Sequence, residues 1–412
     1  MAKKRSSKGK DTKVDIDSGK QAPESVEHNK ENRMASFYLR TVTTIMMLVG
    51  FVVILFLGHA YWAIFVIFLT MLCYKELKAL KRKKEMDKHI PYFNIINWYF
   101  FFVTLTFILP LYFPNQTIFN LDDPFLLAFF DYHKLISFCC FIAGILIFTL
   151  SLEKETYKYQ FKMLGWTLVV LLVVVTQTSS LIYNIYKGLY WFLFPALCVV
   201  WNDIFAYIFG FFFGKTPLIK LSPKKTWEGF IGGAVCTFVW AFIASLSLSS
   251  ITALACIQTK ITFEPMSFPS CAVSSLYISK QYELPFVLFG IQSVWIAPIQ
   301  LHSWLIALFS SIIAPFGGFF ASGFKRAFRI KDFGTTIPGH GGITDRFDCQ
   351  ILMSMFTFVY LHQVVFRINP TVESVLNTIG KLNTLEQMQV YTELQASIHL
   401  HLFQCVEFSD RV

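Results

Sequence analysis

The sequence predicts an all-α, polytopic integral membrane protein with about nine transmembrane helices, because three properties of the chain agree. Hydrophobic residues make up 55% of its 412 residues and only 15% are charged, whereas about a quarter are charged in an ordinary soluble domain. Apolar runs of roughly twenty residues, the length that crosses a bilayer as a helix, recur along the sequence. The 46 phenylalanines indicate a large lipid-facing surface.

The two ends of the chain differ in composition from its middle. Residues 1–36 are polar and lysine-rich and lack the apolar stretch of a signal peptide, so we expect a disordered cytosolic tail. Residues 37–368 form the predicted transmembrane domain, which includes a long lumenal loop over 249–300. Residues 369–412 are predicted to form a C-terminal amphipathic helical tail of two short helices, whose side of the membrane depends on the number of spans.

The predicted spans follow from the spacing of charge along the apolar runs. Between Thr41 and Tyr74 there is no charged residue, and this stretch is too long for one crossing, so Gly58 is expected to divide it into a helical hairpin. The remaining spans are predicted near residues 95–113, 135–152, 163–183, 189–213, 229–248, 302–321 and 350–366.

The distribution of positive charge predicts the orientation of these spans. With the N-terminus in the cytosol, 29 of the 36 lysines and arginines fall in cytosolic segments, as the positive-inside rule requires. Topology therefore accounts for the net charge of +10, and we expect no nucleic acid as a partner.

The lumenal side receives two further features in this topology. One is the glycosylation sequon that begins at Asn115. The other is the cysteine pair Cys256 and Cys271, which could form a disulfide outside the cytosol. The chain has nine cysteines, and those in apolar runs are interpreted as small hydrophobic residues.

Three polar groups are placed at the cytosolic face by this topology. The first is Asn202 and Asp203, in an otherwise uncharged run from Gly188 to Gly214. An acid within a span is energetically costly and points to function, so Asp203 is a candidate metal ligand and Asn202 a candidate substrate contact. The alternative is that a neighbouring helix satisfies Asp203.

The second group lies just before the span predicted at 229–248. It consists of Ser222, Lys224, Lys225, Thr226 and Glu228. Thr226 is suitably placed to cap the helix that follows, and the two lysines then lie beside the free N–H groups of its first turn, which favours anion binding. The alternative is an ordinary positively charged flank, although the hydroxyls and Glu228 favour a binding site.

The third group occupies the segment from Ser322 to Asp348. Asp345 and Asp348 are three residues apart at a helix start, so they share one face and can hold Mg²⁺, with Asp332 joining from the loop. The alternative is that the acids only complement the helix dipole. The cations of this segment are Lys325, Arg326, Arg329, Lys331 and Arg346.

A tight turn, Pro338-Gly339-His340-Gly341-Gly342, lies between these acids. Its glycines lack Cβ atoms, so the backbone can approach a ligand closely. His340 is interpreted as a contact to a phosphate or a base, or alternatively as a turn histidine exposed to water. Cations, acids and exposed N–H groups together are what a metal–triphosphate site requires.

These groups predict metal and polyphosphate chemistry at the cytosolic surface of the membrane. The chain contains no Walker-type GxxxxGK[ST] sequence and no protein-kinase motif set, which excludes those nucleotide-binding classes. A site that opens within the bilayer favours a lipidic second substrate. A transporter is an alternative, because intramembrane acids also line ion paths, but the sequence shows no inverted repeat.

The segment from Ser322 to Asp348 resembles the signature of phosphatidate cytidylyltransferases, also called CDP-diacylglycerol synthases. It matches the pattern S-x-F-K-R-x4-K-D-x-G-x2-I-P-G-H-G-G-I-x-D-R-x-D at every position. The segment from Asn202 to Gly233 is similar to the eukaryotic branch of this family. With the order of the spans, the resemblance covers residues 35–400.

The resemblance implies that CTP and phosphatidic acid react to give CDP-diacylglycerol and pyrophosphate. It implies an all-α enzyme of the endoplasmic reticulum membrane that acts as a homodimer, needs Mg²⁺ and a second cation such as K⁺, and faces the cytosol with its active site. The nearest alternative is a CTP-dependent, dolichol-type lipid kinase, which would release CDP instead of pyrophosphate.

On this hypothesis each polar group receives a role. The expected metal ligands are Asp345, Asp348, Asp203 and Asp332, and the expected catalytic residues are Asp345, Asp348, Asp332, Lys325 and Arg326. The expected substrate-binding residues are Ser222, Lys224, Lys225, Thr226, Glu228, Lys331, Gly339, His340, Gly341, Gly342, Arg346 and Asn202. Because the attacking phosphate oxygen is already an anion, no strong general base is required, and His340 is expected to bind substrate.

Overall fold

The structure is a computed structural model that describes residues 23–81, 90, 92–112, 124–258, 263–265, 271, 274–288, 291–366, 372–380 and 382–395. Helices dominate these residues, which confirms the all-α prediction. The chain divides into two compact units, of which the larger ends at Thr357 and the smaller begins at Phe358.

The first part of the larger unit is built from long helices. They are α1 (Pro23–Leu57), α2 (His59–Ala79), α3 (Phe93–Tyr112), α4 (Pro124–Leu150), α5 (Tyr157–Tyr186) and α6 (Leu189–Phe213). The break between α1 and α2 falls at Gly58, whose φ of +102° suits glycine, so the predicted helical hairpin is confirmed.

Two short antiparallel hairpins interrupt the helices. Strands β1 (Pro217–Ile219) and β2 (Ser222–Thr226) pair between α6 and the next helix, and β3 (Lys280–Leu288) and β4 (Ile291–Ile296) pair within the predicted lumenal loop. The helices that follow β2 are α7 (Trp227–Ser249), the short α8 (Thr252–Ala255), α9 (Pro298–Leu308), α10 (Ala314–Ala327) and α11 (Thr344–Tyr360). A π-helical turn, Phe309–Ile313, joins α9 to α10 without a break.

Seven helical segments of the described chain are long and apolar enough to cross a membrane. They are Tyr38–Leu57, His59–Ala79, Ala128–Leu150, Tyr157–Tyr186, Leu189–Phe213, Trp227–Ser249 and Pro298–Ala327. The apolar part of α3, Phe93–Ile108, and the 17-residue α11 are shorter than these. The polytopic membrane class is thus confirmed, and the number of nine spans stays a prediction.

Helix α1 begins earlier than the sequence analysis predicts. Residues 23–36 were expected to belong to a disordered tail, but they are helical in the structure. Proline at the first position and the glutamates, lysine, arginine and alanine that follow are compatible with a helix start and a helix interior, which explains the extension. The rest of the predicted tail, and the sequon at Asn115, lie outside the described residues.

The predicted lumenal loop packs against the turn that joins the end of α5 to the start of α6. Cys256 and Cys271 form a disulfide, which confirms that expectation. The backbone N–H of Gln258 donates to the carbonyl of Tyr186 at 2.8 Å. Gly188 has a φ of +128° and lies against the carbonyl of Leu254, so the loop packs directly on the α5–α6 turn.

A hydrophobic core near the C-terminal end of α2 joins this helix to α3 and α5. Its buried side chains include Tyr74, Phe100, Phe101, Leu105, Met163, Val170, Val174 and Val175. Polar atoms inside this core are paired, because Tyr74 donates to the carbonyl of Asn97 at 2.7 Å and Thr167 donates to the Asn97 side chain at 3.0 Å. This packing fixes the end of α2 that reaches the candidate site.

Helices α6 and α7 pack closely through small residues. A Cβ atom added to Gly229 would lie 2.6 Å from the carbonyl oxygen of Ala206 and 3.0 Å from Cα of Gly210. A Cβ atom on Gly233 would also meet Ala206, at 2.9 Å. This spacing of small residues is typical of close helix pairs in membranes, and it places the end of α6 beside the start of α7.

Helices α10 and α11 approach each other in the same way. A Cβ atom on Gly317 would lie 2.5 Å from the backbone oxygen of Asp348, and one on Gly318 would lie 3.6 Å from its Oδ2. The glycines of α10 therefore allow the carboxylate of Asp348 to pack against this helix.

The smaller unit contains the C-terminal helices. After the π-helical turn Leu361–Val365, helix α12 (Val372–Ile379) and residues 384–395 are helical. This agrees with the prediction of two short helices in the tail.

The close packing of α6 on α7 can be tested with Gly229→Ala. The added methyl group would overlap backbone atoms of α6, so we expect the free energy of unfolding to fall by about 1–3 kcal/mol, measured by thermal unfolding in detergent. Gly165→Ala is the matched control, because a Cβ atom there has no neighbour within 4 Å. Equal stability of the two variants would contradict the close approach of the helices.

The disulfide between Cys256 and Cys271 can be tested with Cys271→Ser. Loss of a bridge that closes a loop of 15 residues should lower stability by about 3 kcal/mol and change mobility on a non-reducing gel. Turnover per folded molecule should stay near the wild-type value, because the bridge lies in the predicted lumenal loop. Identical mobility and unfolding temperature before and after the substitution would show that the bridge does not form.

Candidate active site

Asp345 joins three parts of the chain at the start of α11. Its Oδ1 accepts a hydrogen bond from Nζ of Lys325 at 2.8 Å, and its Oδ2 accepts from the N–H groups of Phe333 at 2.8 Å and Gly342 at 3.0 Å. The side chain is only 5% exposed, and that of Lys325 is 17% exposed. A buried ion pair of this kind is strongly orienting, because separating it would leave an uncompensated charge.

Glu76, near the C-terminal end of α2, also accepts hydrogen bonds at the start of α11. Its Oε1 accepts from the N–H of Ile343 and its Oε2 from the N–H of Thr344, both at 2.9 Å. The hydroxyl of Thr336 also donates to Oε1. A carboxylate at the first turn of a helix satisfies N–H groups that lack partners within the helix and complements the helix dipole.

The predicted glycine turn is confirmed as a tight turn. The N–H of Ile337 donates to the carbonyl of Gly341 at 2.8 Å, and the reverse bond measures 3.1 Å. Gly339 has a φ of +76° and Gly341 a φ of +87°, values that L side chains rarely adopt. Asp332 packs on this turn, because a Cβ atom on Gly341 would lie 3.1 Å from its Cγ.

The turn is attached to α1 through His340. Its Nδ1 lies 3.0 Å from the hydroxyl of Thr43 and its Nε2 lies 3.2 Å from the hydroxyl of Thr44. The guanidinium of Arg346 donates to the carbonyl of His340 at 2.5 Å. His340 and Arg346, both predicted to bind substrate, thus make contacts within the protein in this structure.

Residues from all three polar groups of the sequence analysis lie near one another. Nζ of Lys225 lies 3.5 Å from Oδ1 of Asp203, and their side chains are 45% and 49% exposed. Asp348 packs on α10, where its Oδ2 lies 3.6 Å from a Cβ atom placed on Gly318. Burial raises the pKa of the Asp348 carboxyl, the charge of Lys325 lowers it and the charge of Asp203 raises it. Lys225 also lies over the ring of Phe319 in α10, 5.8 Å from its centre. The structure therefore brings Asp203, Lys225, Lys325 and Asp348 to one place.

Polar groups at the start of α7 are paired with neighbouring protein groups. Thr226 caps the helix as predicted, accepting from the N–H of Gly229 at 3.3 Å. Glu228 accepts from the N–H groups of Lys215 at 3.1 Å and Thr216 at 3.2 Å, and from the Thr216 hydroxyl at 2.9 Å. The N–H of Trp227 donates to the carbonyl of Thr216. These partners leave little of this helix terminus for an anion.

The other predicted site residues differ in their surroundings. Asn202 is buried, and its Oδ1 accepts from the hydroxyl of Thr237 in α7 at 3.4 Å, so it contributes to helix packing. Arg326 and Lys331 are exposed around the loop that leads to the glycine turn, and Ser222 is half-buried in β2. The side chain of Lys224 lies outside the described residues.

Two of the site carboxylates, Asp203 and Asp348, fit a Mg²⁺ ion better than Asp345 does. Among the residues that the structure describes, no three acidic, histidine or cysteine side chains are grouped to hold a metal by themselves. Mg²⁺ is usually bound by one or two carboxylates together with substrate phosphates and water, so Asp203 and Asp348 fit an ion that arrives with a triphosphate. Asp345 fits less well, because both of its oxygens already accept hydrogen bonds.

Sequence reasoning missed three residues of this site, namely Glu76, Thr43 and Thr44. Glu76 could have been noticed as the one acid in a basic stretch, Lys75 to Lys84, at the C-terminal end of an apolar run. The two threonines lie within a span and carry no comparable signal. Their contacts join residues almost 300 positions apart, which local patterns do not reveal.

Comparison with known proteins places these residues in one family. Residues 38–364 match the cytidylyltransferase family. Phosphatidate cytidylyltransferase 1 of Arabidopsis thaliana is 42% identical over 369 residues, which cover 88% of this chain and 87% of that protein. Phosphatidate cytidylyltransferase 2 of Homo sapiens is 40% identical over 381 residues, 90% of this chain and 84% of that protein.

The backbone of the glycine turn can be tested with Gly341→Ala. The left-handed conformation costs a residue with a Cβ atom about 1–2 kcal/mol, and the methyl group would displace Asp332. We expect turnover to fall by about tenfold or more, because small displacements of site residues are costly in catalysis. Gly50→Ala, where a Cβ atom meets nothing within 4 Å, should keep wild-type turnover. Wild-type activity in both variants would show that the turn does not shape the site.

Proposed function

The chain belongs to the cytidylyltransferase family, and we propose that it transfers the cytidylyl group of CTP to phosphatidic acid, releasing pyrophosphate and forming CDP-diacylglycerol for phospholipid synthesis. Relatives that cover most of the chain carry the name phosphatidate cytidylyltransferase. The observation that carries the proposal is the meeting of Lys225 and Asp203 with Lys325 and Asp348 at one place beside a membrane-spanning bundle.

The reaction needs positioned charge more than covalent help from the protein. A phosphate oxygen of phosphatidic acid attacks the α-phosphorus of CTP, and the bond from this phosphorus to pyrophosphate breaks as the new P–O bond forms. The nucleophile is already an anion, so no side chain has to remove a proton. Catalysis then depends on holding two negatively charged substrates in line and stabilising the charge that develops on the leaving group.

The cations have different parts in this proposal. Lys225 is half exposed and its partner Asp203 is equally exposed, so it can turn to a phosphate at little cost. Lys325 is held by Asp345 and presents a fixed charge beside Asp348. Arg326 and Lys331 are exposed, and we assign them to phosphate binding from the cytosol. Since Thr226 and the carbonyl of Thr216 already accept from N–H groups at the start of α7, side-chain cations carry most of the anion binding.

Mg²⁺ belongs to this proposal as a companion of the triphosphate. Asp203 and Asp348 would hold it, and when bound it neutralises phosphate charge. Asp345 is assigned a positioning role, because its carboxylate orients Lys325 and the loop at Phe333 and Gly342. Asp332 supports the glycine turn. The endoplasmic reticulum membrane, a cytosolic active site, a second cation such as K⁺ and a homodimer complete the proposal.

The released product distinguishes this function from a lipid kinase. Detergent-purified protein would be supplied with labelled CTP, phosphatidic acid and Mg²⁺. We expect a CDP-lipid together with one pyrophosphate for each CTP consumed. Release of CDP, or a label that appears only on a phosphorylated polyprenol supplied in a parallel reaction, would contradict the proposal.

The acids that face Lys225 and Lys325 can be tested with Asp348→Asn and Asp203→Asn. Each removes a charge but keeps the side-chain shape, and we expect kcat to fall by about 100-fold or more. Both proteins should still be extracted as folded molecules with wild-type unfolding temperatures. Thr237→Val is the control, because it removes hydrogen bonds to the neighbouring Asn202 side chain and to the Gly233 carbonyl but no charge, and it should change kcat little. Turnover of Asp348→Asn near the wild-type value would remove this residue from the mechanism.

A further inference from the structure

We propose that Glu76 is a positioning residue of the reaction, which fixes the first turn of α11 so that Asp345, Lys325 and Asp348 take their catalytic arrangement. The proposal rests on the proposed function and adds to it a residue outside the motif that suggested the site. Glu76 lies on α2, more than 250 residues before the segment that it holds.

The first observation is the way in which the Glu76 carboxylate is used. The residue is only 6% exposed, and the structure pairs it with N–H and O–H donors instead of a cation among the described residues. Two of its partners are adjacent N–H groups, those of Ile343 and Thr344, directly before Asp345. A buried carboxylate is costly, and a general packing role could be filled by an apolar side chain at lower cost. The contact therefore specifies where α11 begins.

The second observation is the space around Gly342. A Cβ atom there would lie 2.8 Å from Oε2 of Glu76 and 2.9 Å from Oδ2 of Asp345. Both carboxylates thus lie close to the position that a Cβ atom of this glycine would occupy. A Cβ atom on Gly334 would also lie 2.6 Å from Oε1 of Glu76. Glycine is therefore required at positions 334 and 342 for the loop to pack this closely against both carboxylates.

The third observation is the chain of contacts that leads from Glu76 to the reacting groups. Glu76 holds the N–H of Thr344, and the next residue, Asp345, orients Lys325 at 2.8 Å. Asp348 lies one turn further along the same helix and interacts with Lys325 and Asp203. A shift at the start of α11 would move both acids together, because they belong to one rigid helix.

The kinetic test uses Glu76→Gln, which keeps the shape but turns an NH₂ group towards N–H donors. We expect kcat to fall by about 10–100-fold with KM for CTP and for phosphatidic acid within about threefold, because the buried Glu76 carboxylate bonds to protein groups. Glu155→Gln is the matched control, an exposed acid in the loop between α4 and α5, and should behave as wild type. A kcat of Glu76→Gln within twofold of wild type would overturn the proposal.

A second pair of substitutions tests whether the effect arises at this contact. Gly334→Ala pushes a methyl group against the Glu76 carboxylate, and Glu76→Asp withdraws the carboxylate by one bond. Because both disturb the same contact, the double variant should lose about as much kcat as the worse single variant. Losses that multiply would show independent effects and contradict the proposal.

The structural part can be measured without turnover. Amide hydrogen exchange of residues 342–346 should be at least about tenfold faster in Glu76→Gln than in wild type, and unchanged in Glu155→Gln. If Glu76→Gln does not fold, Thr336→Val removes only the hydroxyl that donates to Glu76 and should lower kcat severalfold at an unchanged unfolding temperature. Unchanged exchange in Glu76→Gln, or unchanged kcat in a folded Thr336→Val, overturns the proposal. A wild-type protein that forms no CDP-lipid refutes the proposed function instead, and the exchange result still decides the Glu76 contact.

Discussion

The Asp345 carboxylate determines the geometry of the candidate site, because it joins a lysine of α10 to the loop and to the start of α11. Lys325 occupies one of its oxygens, and the N–H groups of Phe333 and Gly342 occupy the other. Glu76 closes the junction from α2. In the low dielectric of this region such contacts are strong, so they fix the loop and the start of α11. Helix α11 then places Asp348 where the charges of Lys325 and Asp203 act on it.

This arrangement has a consequence for anion binding. Helix starts usually attract phosphate, yet here protein groups already accept from these N–H groups. Thr226 and the carbonyl of Thr216 do so at the start of α7, and Glu76 does so at the start of α11. Phosphate binding therefore falls to lysine and arginine side chains, which can move between an acid and a substrate. The half-exposed pair of Lys225 and Asp203 is suited to such an exchange. Acids and cations that neutralise each other without substrate also lower the cost of keeping charge beside the bilayer.

The sequence predicts much of this architecture and only part of the site. Apolar runs and charge spacing are local properties, so the helical class, the break at Gly58 and the meeting of Asp203, Lys225 and Asp348 were foreseen. The Asp345 carboxylate was expected to hold a metal, but spacing alone cannot reveal that Lys325 and two N–H groups already occupy it. Glu76 escaped notice because its partners are distant in the chain. The helical start at Pro23 was missed because polar composition was taken to indicate disorder.

We propose that the triphosphate of CTP binds beside Lys225 and Lys325 while Asp345 keeps its protein partners. A cryo-electron microscopy structure of the detergent-solubilised protein with CTP and Mg²⁺ tests it most directly. We expect the triphosphate beside Lys225 and Lys325, the metal on Asp203 and Asp348, and Asp345 still bonded to the N–H groups of Phe333 and Gly342. A nucleotide bound elsewhere, or a metal on Asp345 with these bonds broken, would contradict the account.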